Sequence, residues 1–189
     1  MDDCTAHALK LLAKRSHSIK ELAGKLYKSG FAKASVAQTI DFLMENKWLD
    51  DAKFAENRAR YRATQSRWGR NKIRQELQGL GVPSDLTAVA LTQLEGLVDD
   101  DDAALQPEKG HDFQETATAL LARKFGTWPE ELRASPSADP ILRHDWTKKR
   151  DNAKKKRLDF LLRRGFSMAE ALHALTENQI DVGDDDETA

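Results

Sequence analysis

The stretch NRARYRATQSRWGRNKIRQ, residues 57–75, carries seven arginines and lysines and no aspartate or glutamate, in a chain of 189 residues with formal net charge -1. Guanidinium and ammonium groups do no covalent chemistry here; they pair with phosphate or carboxylate oxygens through charge-assisted hydrogen bonds. Arg58, Arg60, Arg62, Arg67, Arg70, Lys72 and Arg74 are therefore candidate polyanion contacts. A second basic group spans 143–164, with ten basic and three acidic residues, and contributes Lys154, Lys155, Arg157, Arg163 and Arg164. Lys14, Arg15, Lys25 and Lys28 form a smaller third group, partly offset by Glu21. Solvated helix faces are commonly charged, so one arginine alone says little. Seven without an acid say more, because helices gain from mixing signs at i,i+4 spacing.

Other chemistries find little support. Cys4 is the only cysteine, which excludes an intramolecular disulfide and a thiolate cluster, and it is expected in a loose N-terminal arm. The five histidines, at 7, 17, 111, 144 and 173, include no H-x-x-x-H pair, so neither a metal site nor a cofactor is expected. No phosphate-binding G-x-x-x-x-G-K-[ST] loop, G-x-S-x-G elbow or carboxylate pair in an apolar setting is present, and the chain is not read as an enzyme. No apolar run approaches the roughly 20 residues that span a bilayer, and MDDCTAHALK lacks the order of a signal peptide. A soluble, cytoplasmic monomer with no membrane association is expected.

Charge is segregated along the chain. The runs EGLVDDDD (95–102) and DVGDDDE (181–187) hold five acids each, leaving 30 basic against 21 acidic residues elsewhere, or +9. Such runs read as a self-repelling linker and tail. They could compete within the chain for the basic surface.

These side chains need elements to hold them. Leucine and alanine number 48 against 10 for valine and isoleucine, which favours helix over pleated sheet and makes the expected class all-α. LYKSGFAKASVAQTI (26–40), LQGLGVPSDLTAVAL (77–91) and LLRRGFSMAEALHAL (161–175) share one skeleton: Leu, three residues, Gly, Phe or Val, eight residues, Ile or Leu. Glycine in the left-handed conformation stops one helix, and a second starts at once. Start signals are Ser35 in the first unit, Pro83 and Ser84 in the second, and the capping-box pair Ser167 and Glu170 in the third. Ser18 and Glu21 form another such pair. With a further helix upstream of each glycine, the chain reads as an elongated array of three tandem three-helix repeats. The expected domains are 1–50, 51–98 and 113–178, the last with an insertion at 126–145. An acidic linker, 99–112, and an acidic disordered tail, 179–189, complete the chain.

Helical spacing assigns the faces. Phe54 and Tyr61 are expected to mark the buried face of the helix near 52–65, with Arg58 and Arg62 sharing another. Val36, Ile40 and Leu43, Val89 with Leu94, and Leu172 with Leu175 follow core spacing. Leu22, Leu26, Phe31, Ile73, Leu77, Phe160, Leu161 and Phe166 join them as core candidates. Trp48 and Trp128 are read as packing residues; Trp68 stands between packing and base stacking.

ALKLLAKRSHSIKELAGKL, WLDDAKFAENRARYR, WGRNKIRQELQGLGV and RLDFLLRRGFS, in that order on a triple repeat, resemble the RecX family of regulatory proteins, which modulate the recombinase RecA. The likeness covers roughly residues 6–176. It implies a curved array of three-helix repeats that lies in the groove of the RecA filament on DNA and restrains ATP hydrolysis, strand exchange and co-protease activity. The implied partners are the RecA filament and single- and double-stranded DNA bound without sequence preference. A sequence-specific helix-turn-helix-like regulator is the alternative, against which the basic residues spread over several repeats instead of one recognition helix. Lys47 stands where the family usually has glycine, and neighbouring Asn46 is expected to take the left-handed turn.

Overall fold

A computed structural model describes residues 2–96, 110–133 and 139–180. Of the expected acidic linker and tail, residues 99–109 and 181–189 lie outside these residues, whereas 179 and 180 are helical. Every regular element among the described residues is helical: α1 (Asp3–Leu12), α2 (Ile19–Lys28), α3 (Lys33–Glu45), α4 (Asp51–Thr64), α5 (Arg70–Gly79), α6 (Ser84–Leu94), α7 (Phe113–Phe125), α8 (Pro140–Arg163) and α9 (Met168–Ile180), with a 3-10 turn at Glu130–Leu132. The chain divides into two compact bodies, Met1–Ser66 with Ile73–His111, and Arg67–Lys72 with Asp112–Ala189.

The shared skeleton has a hydrogen-bond explanation. Gly30, Gly81 and Gly165 have φ of +88°, +84° and +88°. The amide after each glycine then reaches back to the carbonyl of the skeleton leucine: Phe31 to Leu26 at 3.3 Å, Val82 to Leu77 at 3.0 Å and Phe166 to Leu161 at 3.2 Å. This closure satisfies a carbonyl the helix end would orphan and buries the leucine beside it. The residue two after each glycine, Ala32, Pro83 or Ser167, opens the next helix. Start position is thus set by distance from the glycine and not by residue type, which is why Ser35 falls inside α3 instead of capping it. Ser167 alone of the three caps with its side chain, in a reciprocal box with Glu170 (2.6 and 3.2 Å).

Small residues carry much of the inward surface. Ala55, Ala59 and Ala63 recur every four residues along α4, which packs on α6, a helix that buries Thr87 and Ala90. Ala171 and Ala174 on α9 play the same part against α7. Alanine stripes let helix axes approach closely and turn larger neighbours outward, so Tyr61, Val89 and Leu172 are exposed, contrary to their spacing-based assignment. The first domain closes on Leu22, Leu26, Val36, Ile40, Leu43 and Leu49, each contributing about 2 kcal/mol by burial. Cys4 belongs to this core: Asp2 caps α1 at Thr5 N (2.8 Å), so the expected loose arm is helical from Asp3.

Residues ahead of a middle helix hold the glycine turn of the following domain. Ser18 Oγ donates to Leu80 O (2.5 Å), while the buried Asp51 carboxylate, pushed up by its desolvation, accepts Ile19 N–H (2.9 Å). In the other body, Gly69 N donates to Arg164 O (2.8 Å) and Asn71 N to Gly165 O (2.9 Å). A Cβ on Gly69 would sit 2.3 Å from Phe166 N and 2.4 Å from Gly165 C, so the backbone approach admits no side chain there.

Candidate polyanion-binding surface

The arginine-rich segment is not free of acids once folded. Glu76, one residue beyond it, lies on α5 between the buried Ile73 and Leu77 and faces α4. Arg62 grips its carboxylate in a fork (Nε–Oε2 2.8 Å, Nη2–Oε1 2.6 Å), and Arg58 Nη2 adds a third bond at 2.7 Å. Burial alone would push the Glu76 carboxyl up; the bonds and charges of Arg62 and Arg58 outweigh it and hold it below the ordinary carboxylate range. Arg60 meets Glu56 (3.0 Å), and Arg70 approaches Glu170 (3.9 Å). Lys72 stands over the half-buried Trp68 ring at 4.3 Å.

The first basic group behaves alike. Glu21 pairs with Arg15 through both carboxylate oxygens and lies 3.6 Å from Lys25. Ser18 accepts the Glu21 amide (3.1 Å), but the glutamate side chain goes to the cations instead of closing a capping box. His17, buried, accepts from Lys25 Nζ (2.9 Å), and its other ring nitrogen lies 2.8 Å from Arg15 O. Desolvation, then the Arg15 charge, lowers its pKa.

Arg157, expected on the positive surface, is only 5% exposed. Its guanidinium stacks on Phe125 (4.9 Å) and Trp128 (4.6 Å), and burial lowers its pKa. Trp128 is in the third-domain core as expected, whereas Trp48 is 52% exposed. Arg164 stacks on Phe160 at 5.0 Å, and Arg163 donates to Asp159 O. Arg74 is half-buried.

Cations without a carboxylate within 4 Å among the described residues include Lys14, Lys28, Arg67, Lys154, Lys155 and, from the same basic group at 143–164, Lys148, Lys149 and Lys156. All but Lys154 are exposed. Four of these exposed lysines, 148, 149, 155 and 156, line α8, capped at Asp139 with Pro140 in its first turn. Two cations, Lys47 and Arg67, occupy left-handed backbone (φ 56° and 51°). Asn46, expected there, stays at φ -84°; Trp48 and Leu49 N–H both reach Leu43 O (2.9 and 3.2 Å), which places the reversal at 47. Among the described residues no three His, Cys, Asp or Glu side chains are grouped to hold a metal ion, and no helix is long and apolar enough to cross a membrane.

Short helices repeated along the chain and stopped by left-handed glycines define an all-helical repeat protein among the described residues. Two family models match, described as the first three-helix domain of RecX over residues 4–43 and the second over 50–91. The regulatory protein RecX of Stenotrophomonas maltophilia (strain R551-3) is 36% identical over 136 residues, 71% of this chain and 74% of that one. That of Chromohalobacter salexigens is 32% identical over 168 residues, 89% and 88% of the two chains. The crystal structure of RecX from Lactobacillus salivarius shares the fold, with TM-score 0.65, 19% identity and coverage of 93% and 94%. The chain belongs to the RecX family of regulatory proteins.

Proposed function

We propose that this protein modulates the recombinase RecA by binding the RecA filament on DNA and restraining its ATP hydrolysis, strand exchange and co-protease activity. Family membership supports the partner. The observation that carries the chemistry is the set of lysines on α8 that are exposed and lack a carboxylate within 4 Å among the described residues. Their ammonium groups are available to phosphate oxygens without first breaking an ion pair. Such contacts position a protein on DNA and read no sequence. Lying across neighbouring recombinase subunits, the domains would oppose filament growth and the motions of ATP turnover by sterics and charge. The expected result of titrating the protein into a DNA-dependent RecA ATPase assay is progressive inhibition. An ATPase rate unchanged at excess protein overturns the reading.

A further inference from the structure

A groove runs between the chain leaving α1 and the outer face of α4. It consists of two depressions of about 230 and 180 Å³ that share Ser16, Phe54 and Asn57 and so adjoin. Trp48 lines one and Tyr61 the other, and these rings are 52% and 55% exposed. Two large, half-exposed aromatic rings beside one groove, Tyr61 with the Arg62 guanidinium 5.9 Å from its centroid, leave apolar area that marks binding surfaces. The Trp48 backbone is fixed by the reversal at Lys47, and Phe42 meets the indole edge-on at 5.9 Å and 86°. Tyr61 projects from α4 on the line Lys53, Asn57, Tyr61, one residue per turn, so this wall runs for about 12 Å.

The charge beside the rings is positive. Lys47 and Lys53 are exposed and have no carboxylate within 4 Å among the described residues. Asp50, also at the rim, directs its carboxylate to Ala52 N–H and Lys53 N–H at the start of α4 (2.9 and 3.1 Å). Lys47 holds its ammonium there from a left-handed backbone that glycine would adopt without strain. Arg15 and Arg58 flank the far end but are committed to Glu21 and Glu76.

We propose that this groove binds single-stranded nucleic acid, with bases stacked on Trp48 and Tyr61 and phosphates drawn to Lys47 and Lys53. Stacking needs a base face that a duplex keeps inside, so the rings select unpaired strands, whereas an acidic peptide would use the lysines and leave the rings idle. The inference deepens the nucleic-acid part of the proposed function. Its test omits the recombinase, so its failure leaves the ATPase result standing.

Fluorescence anisotropy of a labelled oligothymidylate, with a duplex of equal length and polyglutamate as competitors, provides that test on the full chain. Trp48→Ala and Tyr61→Ala are each expected to weaken single-strand binding by roughly 5- to 100-fold, and to change duplex binding less than about twofold. Lys47→Gly is expected to raise Tm by relieving the backbone while weakening single-strand binding, a combination that lost folding cannot mimic. Unchanged single-strand affinity in both aromatic variants overturns the proposal. So do equal losses on single strand and duplex, or polyglutamate binding that depends on the same two rings.

Discussion

The α4–α5 arginines and the α8 lysines are equally basic in sequence but differ in what they face. On α4, Arg58 and Arg62 converge on the partly buried Glu76, so much of their charge is spent inside the protein. On α8, Lys148, Lys149, Lys155 and Lys156 point to solvent, while Arg157 on the same helix is stacked between rings. Positive charge written in a sequence is therefore not positive charge available to a ligand. Availability depends on whether a carboxylate from another helix, or an aromatic cage, reaches the cation first.

The largest expected effect tests the committed side. Glu76→Gln leaves two partly buried guanidiniums without their carboxylate and is expected to cost about 2–4 kcal/mol in urea unfolding. It should also strengthen DNA binding at low salt, since one negative charge is removed from beside Arg58. A variant as stable as the parent would show that the ion pairs are ornamental. Next, Arg157→Ala is expected to cost about 2 kcal/mol through lost ring stacking, with DNA affinity unchanged. Weakened DNA binding without a stability loss would instead place Arg157 in the binding surface.

On the exposed side, Lys149→Ala, Lys155→Ala and Lys156→Ala are each expected to change stability by less than about 0.5 kcal/mol. Each that contacts a phosphate lowers the slope of log affinity against log salt by about 0.9 on duplex DNA. A slope identical to the parent in the triple variant would remove α8 from the interface. The smallest effect is that of pH. His17 has its folded pKa below the unfolded value of about 6.5, so neutral imidazole is the folded form. Its contribution is present above about pH 6.5 and fades as pH falls through the folded pKa. The Glu76 and Glu21 carboxyls, also lowered in the fold, lose theirs further down, below about pH 4.5. Thermal melts across pH 4–7 should show His17→Gln flattening the upper part of this decline and leaving the lower part intact.

The sequence alone determined the periodic architecture. Leu26, Leu77 and Leu161 stand four residues before Gly30, Gly81 and Gly165, and local hydrogen bonding converts that spacing directly into a helix stop. The family likeness rests on the same local regularities. Glu56, four residues before Arg60 and just outside the acid-free stretch, was overlooked although an i,i+4 pair needs no tertiary information. What the tertiary structure decided is which surfaces and charges remain. Glu76 reaches Arg62 across 14 residues because α5 lies beside α4, and a count of charges along the chain cannot see that distance closed. Tyr61 is exposed because Ala55, Ala59 and Ala63 took the inward positions of α4, an outcome of packing between helices, whereas Trp48 is turned out by the local reversal at Lys47.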